Sequence, residues 1–168
     1  LRIPDAPLAY WAPPELVELF DKYPKTNEIG AITKQGLATA YDFRFLRLVW
    51  EVDPAAIGLE SSDFDSNKSW AYFAKGGRYS PYYSDIHLLV NWNRKGIEIK
   101  SRINPDTKKP YSNIWQLAKT EEEYFFKPGI TFPFRAPRFA PFVLPSGCIF
   151  AQIGQSMFPL TPTLFSLL

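Results

Sequence analysis

Proline is the feature that most restricts how this chain can fold. Sixteen of the 168 residues are proline, and they are spread from one end of the chain to the other. Proline lacks a backbone N–H and clashes with the preceding helical turn, so it ends or kinks helices. Because 46% of the residues are hydrophobic, the chain can still bury a real core. We predict one α+β domain over residues 1–168, mainly antiparallel β-sheet with short peripheral helices.

Residues 35–52 join a polar loop to an alternating segment. From residue 45 onward, apolar and polar side chains alternate with the period of a half-buried strand. Gly36 allows a backbone conformation that other residues resist. A rigid strand that carries a polar loop is a good mount for a binding site, although a plain surface turn has a similar composition. The candidate binding groups of this loop are Thr39, Asp42 and Arg44.

Short elements are predicted around this stretch. A helix opens at residues 12–15, and its apolar stripe should pack on the body of the domain. Residues 54–68 resemble a solvated loop, and residues 120–123 have the spacing of a capping box. Periodicity does not decide between strand and helix for residues 97–100, which follow a turn at 93–96. The stripe of the first helix consists of Leu16, Val17, Leu19, Phe20 and Tyr23; the predicted strands are 29–32, 87–92, 130–132 and 148–150.

A pair of glycines flanked by cations forms a second candidate site. Gly76 and Gly77 let the backbone approach a flat or charged ligand, and Lys75 and Arg78 add positive charge beside them. Neighbouring tyrosines can stack or hydrogen-bond. An ordinary hairpin turn with no binding role would use the same two glycines. Binding and turn formation therefore both remain open for this segment.

The loop at residues 134–139 places two arginines among aromatic residues and prolines. The guanidinium fork of Arg135 or Arg138 matches both phosphate and guanine. The alternative is a solvated loop whose aromatic side chains fold back on the core. The formal charge of +2 is compatible with a polyanionic partner if the cations gather on one face.

The single cysteine and the lack of long apolar runs indicate the cellular setting. Cys148 cannot form an internal disulfide, and its apolar neighbours predict a small core residue rather than a nucleophile. His87, the only histidine, is more often structural than catalytic in such a strand. We see neither a signal peptide nor a membrane span, so we expect a cytoplasmic protein without a membrane partner. Because the chain begins without methionine and ends in an apolar segment, we expect a fragment of a longer protein.

Several short motifs occur in a fixed order and resemble a known family. They cover residues 3 to 158 and are similar to the target recognition domain of large adenine-specific DNA methyltransferases. These are the PglX type of BREX phage-defence systems and the related Type IIG restriction-modification enzymes. At Ala40 the chain departs from the family, which has glycine after the threonine. The motifs lie at residues 4–11, 35–39, 44–47, 50–52, 75–79, 90–92, 98–100, 126–131 and 144–150.

The resemblance implies a DNA-binding role without catalysis. Double-stranded DNA would be held against a catalytic methyltransferase domain of the same longer chain, which would use S-adenosylmethionine and could also cleave DNA. This fragment lacks a glycine-rich cofactor loop and an Asn-Pro-Pro-Tyr motif, so we predict no catalytic, cofactor or metal residues in it. The predicted DNA-contacting residues are Thr39, Asp42, Arg44, Lys75, Arg78, Lys127, Arg135 and Arg138.

Two other functions are open at the level of the sequence. Asp85, with Glu98 and Lys100 thirteen and fifteen residues later, mimics the acid-plus-Glu-x-Lys arrangement of metal-dependent nucleases. In that arrangement two carboxylates hold a divalent metal and a lysine assists the attacking water. The third possibility is a protein-interaction module that packs its aromatic residues against a partner.

Overall fold

The computed structural model describes residues 13–77, 79–80, 84–114 and 117–160. Short strands dominate these residues, and the longest regular helix has nine residues. No helix among the described residues is long and apolar enough to cross a membrane. The strands are β1 (Ala31–Lys34), β2 (Leu46–Leu48), β3 (Ile57–Gly58), β4 (Trp70–Ala74), β5 (Leu88–Asn91), β6 (Gly129–Pro133), β7 (Phe142–Leu144), β8 (Cys148–Phe150) and β9 (Gly154–Pro159). The helices are α1 (Pro14–Lys22), α2 (Asp42–Phe45), α3 (Asn93–Ser101) and α4 (Ala118–Tyr124).

The strands form two sheets. The first is antiparallel throughout, with the order β1-β9-β6-β7. The second has the order β2-β5-β4-β3, and β8 also pairs with β4. Its β2–β5 and β4–β5 pairs are antiparallel, whereas β3 and β8 both run parallel to β4. The predicted α+β class, dominated by antiparallel pairs, is confirmed.

Aromatic side chains hold the two sheets together. Phe150 of β8 and Phe158 of β9 belong to different sheets, and their ring centroids lie 5.3 Å apart. Phe125 packs edge-on against Phe150 at 5.4 Å, and Trp92 packs edge-on against Phe125 at 5.8 Å. All four side chains are buried. Edge-to-face contacts of this kind contribute roughly 0.5–1.5 kcal/mol each beyond the area that they bury.

The strand predicted from residue 45 to residue 52 is much shorter than expected. Phe45 ends helix α2 and is fully buried, so it does not alternate with the residues that follow. After β2 the chain enters a 3₁₀ turn, because the Glu51 carboxylate accepts a hydrogen bond from the Leu48 amide at 2.7 Å. The turn leaves Trp50 70% exposed. Alternation in the sequence therefore predicted the strand at 46–48 correctly, but it wrongly continued that strand to residue 52.

The first helix forms as predicted, but its apolar stripe does not pack. Pro14 stands in the first turn of α1, and Glu15 lies near the positive end of the helix dipole. Leu19 and Phe20 are 44% and 51% exposed, and none of the nine residues of α1 is buried. The prediction that this stripe packs on the body is wrong for the described residues. An amphipathic pattern forms a face, but only tertiary contacts can cover it.

Two other local predictions needed correction. The segment 54–68 is not only a solvated loop, because it contributes β3 and the buried side chain of Phe64. Helix α4 begins at Ala118, two residues before the proposed capping box, and Leu117 occupies its N-cap without a side-chain hydrogen bond. Thr120 is buried inside the helix, so its hydroxyl does not cap the first turn.

The remaining strands and turns agree closely with the sequence. Residues 130–132 and 148–150 lie in β6 and β8, and β5 covers most of 87–92. The strand predicted at 29–32 forms two residues later, as β1. Positive φ angles at Arg94, Lys95 and Gly96 make the predicted turn, and residues 97–100 continue as helix rather than strand.

Candidate functional site

The loop that precedes the candidate site is pinned against strand β8. The Leu37 amide donates to the Phe150 carbonyl at 2.9 Å, and the Gln152 amide donates to the Leu37 carbonyl at 3.0 Å. A Cβ atom on Gly36 would lie 2.0 Å from the Phe150 oxygen, so no larger residue fits there. The reason expected for this glycine, an unusual backbone conformation, is wrong. Its φ is ordinary, and the close approach of two backbones is what requires glycine.

A side chain from a distant part of the chain holds the same loop from the other side. The Asn113 amide oxygen accepts a hydrogen bond from the Ala38 N–H at 2.7 Å, and its NH₂ group donates to the Gly36 carbonyl at 3.1 Å. Because these partners lie more than seventy residues apart in sequence, no local signal could have identified Asn113. The loop therefore enters the site from a fixed position.

The turn that follows fixes a carboxylate and a lysine next to each other. The buried Thr39 hydroxyl donates to Asp42 Oδ1 at 2.5 Å, and Lys75 Nζ pairs with Asp42 Oδ2. Partial burial raises the pKa of Asp42, but the hydrogen bonds from Lys75 and Thr39 outweigh it, and the net pKa is lowered. Asp42 is thus ionised at neutral pH, and it both orients Lys75 and offsets part of its charge.

Ala40, just before this carboxylate, has a left-handed backbone. Its φ of 58° lies in the region that glycine occupies most easily. Ala40 therefore holds a turn conformation that glycine would adopt with less strain. The chain accepts the strain of an L-residue there, because the Thr39–Asp42 bond and the pinned loop determine the path of the turn.

Lys75 also borders two adjoining grooves, which together we call the Lys75 groove. The larger part has a volume of about 690 Å³ and the smaller part about 190 Å³. Both parts share Lys75, Gln152 and Ile153, so segments that are far apart in sequence meet here. The larger part is lined by Gln35, Lys75, Gly76, Gly77, Pro133, Phe134, Arg135, Gln152, Ile153 and Gln155, and the smaller by residues 37–40, Asp42, Phe73, Lys75 and 151–153.

Glycines set the shape of the groove at the 75–77 loop. Gly76 has a φ of 78°, and a Cβ on Gly154 would lie 2.9 Å from the Gly76 nitrogen. The start of β9 and this loop can therefore touch only because Gly154 lacks a side chain. Gly77 is different, since a Cβ there would meet nothing within 4 Å. One glycine of the pair thus shapes the loop, while the other leaves its surface open.

The structure brings only some of the predicted DNA-contacting residues together. Arg44 points elsewhere and pairs with Glu98 on α3 at 2.5 Å. Lys127 is exposed on the connection from α4 to β6, and Arg138 is exposed on the 134–141 loop without lining the groove. Arg78 lies outside the described residues. The predicted residues that border the Lys75 groove are Thr39, Asp42, Lys75 and Arg135.

The residues of the nuclease alternative do not converge on a shared site. Glu98 pairs with Arg44, whereas Lys100 pairs with Glu121 on α4 at 2.5 Å. Asp85 borders a separate, mainly apolar cavity of about 400 Å³. Among the described residues, no group of three or more acidic, histidine or cysteine side chains could hold a metal ion. Nothing in this arrangement favours metal-dependent cleavage.

Cys148 has the environment of a core residue. It lies in β8 with almost no exposed surface, and burial raises the pKa of its thiol to about 12. A thiol of this kind is protonated at neutral pH and is a poor nucleophile. The prediction that Cys148 belongs to the core is confirmed.

Sequence reasoning missed several lining residues of the groove. Phe134 and three glutamines, Gln35, Gln152 and Gln155, face the same space as Lys75 and Arg135. Isolated glutamines carry no signal in a sequence, because most of them lie on ordinary solvated surfaces. Only the folding of β9 against the 75–77 loop shows that these amides share one groove.

Comparison with known proteins shows similarity to segments of two much larger chains. No protein-family model matches the chain. It is 28% identical over 162 residues to a protein of Lacticaseibacillus casei (strain Zhang) named adenine-specific methyltransferase PglX. It is 24% identical over 159 residues to a protein of Escherichia coli O9:H4 (strain HS) named adenine-specific methyltransferase BrxX. Each comparison covers 94% of this chain but only 13% and 12% of the relatives, about an eighth of their length.

Proposed function

We propose that this chain is a target recognition domain, which binds duplex DNA and positions it for a separate adenine-N6 methyltransferase domain of a longer protein. The observation that carries the proposal is the Lys75 groove, where Lys75 and the adjacent glycine pair border one space with Arg135 from a distant segment. The similarity to segments of two adenine-specific methyltransferases supports the same role. The longer protein would act in phage defence or restriction-modification, and its catalytic domain would supply S-adenosylmethionine binding.

Cations on this groove would act first on the phosphate backbone. Lys75 and Arg135 would contact phosphate oxygens, and the open backbone at Gly77 allows a phosphate to approach closely. Asp42 limits the net positive charge at Lys75, so binding of an arbitrary sequence should stay weak. We expect a dissociation constant on the order of 10⁻⁴ to 10⁻⁶ M for non-specific duplex DNA at physiological salt.

The test is the salt dependence of duplex binding by the 168-residue chain. Replacing Lys75 or Arg135 by alanine should weaken binding to all sequences alike, because phosphate contacts carry no base information. Each replacement should lower the slope of log K against log salt by about one. Titration of a fluorescent duplex at several salt concentrations measures both quantities.

Lys119→Ala is the matched control for this experiment. Lys119 is exposed on α4 and does not line the Lys75 groove. Lys119→Ala removes the same single positive charge as the groove variants. A general effect of lower net charge would therefore weaken DNA binding equally in all of them. If all three variants behave alike, the groove has no special role. If the wild-type chain does not bind duplex DNA even at low salt, the proposed function is wrong.

A further inference from the structure

Gln155 lies where a single side chain could read a base in the Lys75 groove. Resting on the proposed function, we propose that Gln155 is a specificity-determining residue that recognises adenine in the major groove of the bound duplex. Three glutamines border the groove, but only Gln155 belongs to a strand. Gln35 precedes the pinned loop, and Gln152 lies in the turn between β8 and β9.

Strand β9 holds the backbone of Gln155 firmly. This strand lies inside its sheet, between β1 and β6, and Gln155 is in register with Phe132 of β6. The Thr131 hydroxyl, which is fully buried, donates to the Gln155 carbonyl at 3.1 Å. Burial alternates along β9, so the neighbours Gly154 and Ser156 face inward while Gln155 faces the groove. A reading side chain on a strand is placed more accurately than one on a loop.

The amide of Gln155 is available for a ligand. No side-chain hydrogen bond joins it to another residue that the structure describes. A primary amide carries one donor group and one acceptor, which match the N6 amino group and N7 of adenine. Guanine presents two acceptors at the same edge and fits an arginine better.

A second lining residue fits the other base of the same pair. Phe134 directly follows β6, borders the same groove and is 58% exposed, so an apolar ring faces the ligand beside Gln155. An aromatic side chain of this kind can contact the thymine methyl group, which marks the partner of adenine in the major groove. The Lys75 groove therefore combines phosphate-binding cations with groups suited to one A·T pair.

Selection from a randomised duplex tests the proposal. The 168-residue chain is mixed at low salt with duplexes that have a random central segment, and the bound fraction is sequenced. We expect at least about a fivefold preference for adenine at one position, as one bidentate contact provides. Gln155→Ala should abolish that preference and leave affinity for the unselected pool within about twofold, because phosphate contacts dominate it. Gln155→Glu, which can only accept hydrogen bonds, should shift the preference toward cytosine.

Asn27→Ala is the matched control, since it removes a primary amide from an exposed turn that does not line the Lys75 groove. It should retain the adenine preference. The inference fails, while the proposed function stands, if wild type binds duplex DNA without any base preference or if Gln155→Ala keeps the adenine preference. It also fails if Asn27→Ala removes that preference as fully as Gln155→Ala does. Absence of duplex binding by wild type would overturn the inference and the proposed function together.

Discussion

Replacing Gly36 by alanine should destabilise the domain more than any exposed glycine substitution. The added Cβ would lie 2.0 Å from the Phe150 oxygen and 2.5 Å from its carbonyl carbon. To relieve these contacts the loop must move away from β8. That movement would stretch the hydrogen bonds that join Leu37 to Phe150 and Gln152, which are 2.9 and 3.0 Å long.

The magnitude follows from three effects. Overpacking costs about 1–3 kcal/mol, and each weakened hydrogen bond costs on the order of 1 kcal/mol. Alanine also reduces the entropy of the unfolded chain, which stabilises the folded chain by about 0.4–1 kcal/mol. The net loss should be about 2–4 kcal/mol, which lowers Tm by roughly 4–16 °C for a chain of this length.

Thermal and urea unfolding, each followed by circular dichroism, measure this loss. Gly77→Ala is the matched control, because its Cβ would meet nothing within 4 Å and its φ is not positive. We expect the control to unfold within about 0.5 kcal/mol of wild type. If Gly36→Ala is as stable as Gly77→Ala, the close approach of the 35–38 loop to β8 does not exist in solution, and the position of the candidate site must be revised.

Two further predictions concern Ala40 and Cys148. Ala40→Gly should raise the free energy of unfolding by up to about 1 kcal/mol, because glycine relieves the strain of a positive φ. The control Ala55→Gly, at an exposed position without positive φ, should lower the free energy of unfolding. If urea unfolding shows that Ala40→Gly is less stable than wild type, the left-handed conformation at residue 40 is contradicted. Burial raises the pKa of Cys148 from 9.0 to about 12, so at about pH 8 its thiolate fraction should be on the order of a thousandfold lower in the folded chain than in the unfolded one. Iodoacetamide labelling should accordingly be slow in buffer and fast in concentrated urea, and rapid labelling of the folded chain would show that Cys148 is accessible.

The sequence predicted best where local preferences and core packing agree. Proline at the start of α1 predicted that helix. The apolar segments 130–132 and 148–150 predicted β6 and β8, because their short length and flanking turn residues favour strand over helix. It predicted less well where a side chain reached back to its own backbone. Glu51 closes a turn on Leu48, and this one hydrogen bond ended a strand that alternation alone would have continued.

The sequence alone predicted only part of the candidate site. Residue type alone pointed to Thr39, Asp42, Lys75 and Arg135, since cations and short polar groups beside glycines are typical of binding loops. Residue type could not distinguish these residues from Arg44, which pairs with Glu98 instead. An ion pair between residues 54 positions apart depends on how α2 and α3 pack, and no local pattern records that contact.

By itself, the sequence determined the short elements, the antiparallel α+β class and the buried position of Cys148, because these follow from proline content, apolar patterning and turn residues within a few positions of each other. The tertiary structure alone decided that Lys75, Arg135 and Gln155 border one groove and that Gly36 is required by contact rather than by conformation. Both depend on long-range approaches: Gly154 of β9 meets Gly76, and Phe150 of β8 meets Gly36, across 78 and 114 residues of sequence. Contacts over such separations are set by the packing of the whole core, which local preferences do not encode.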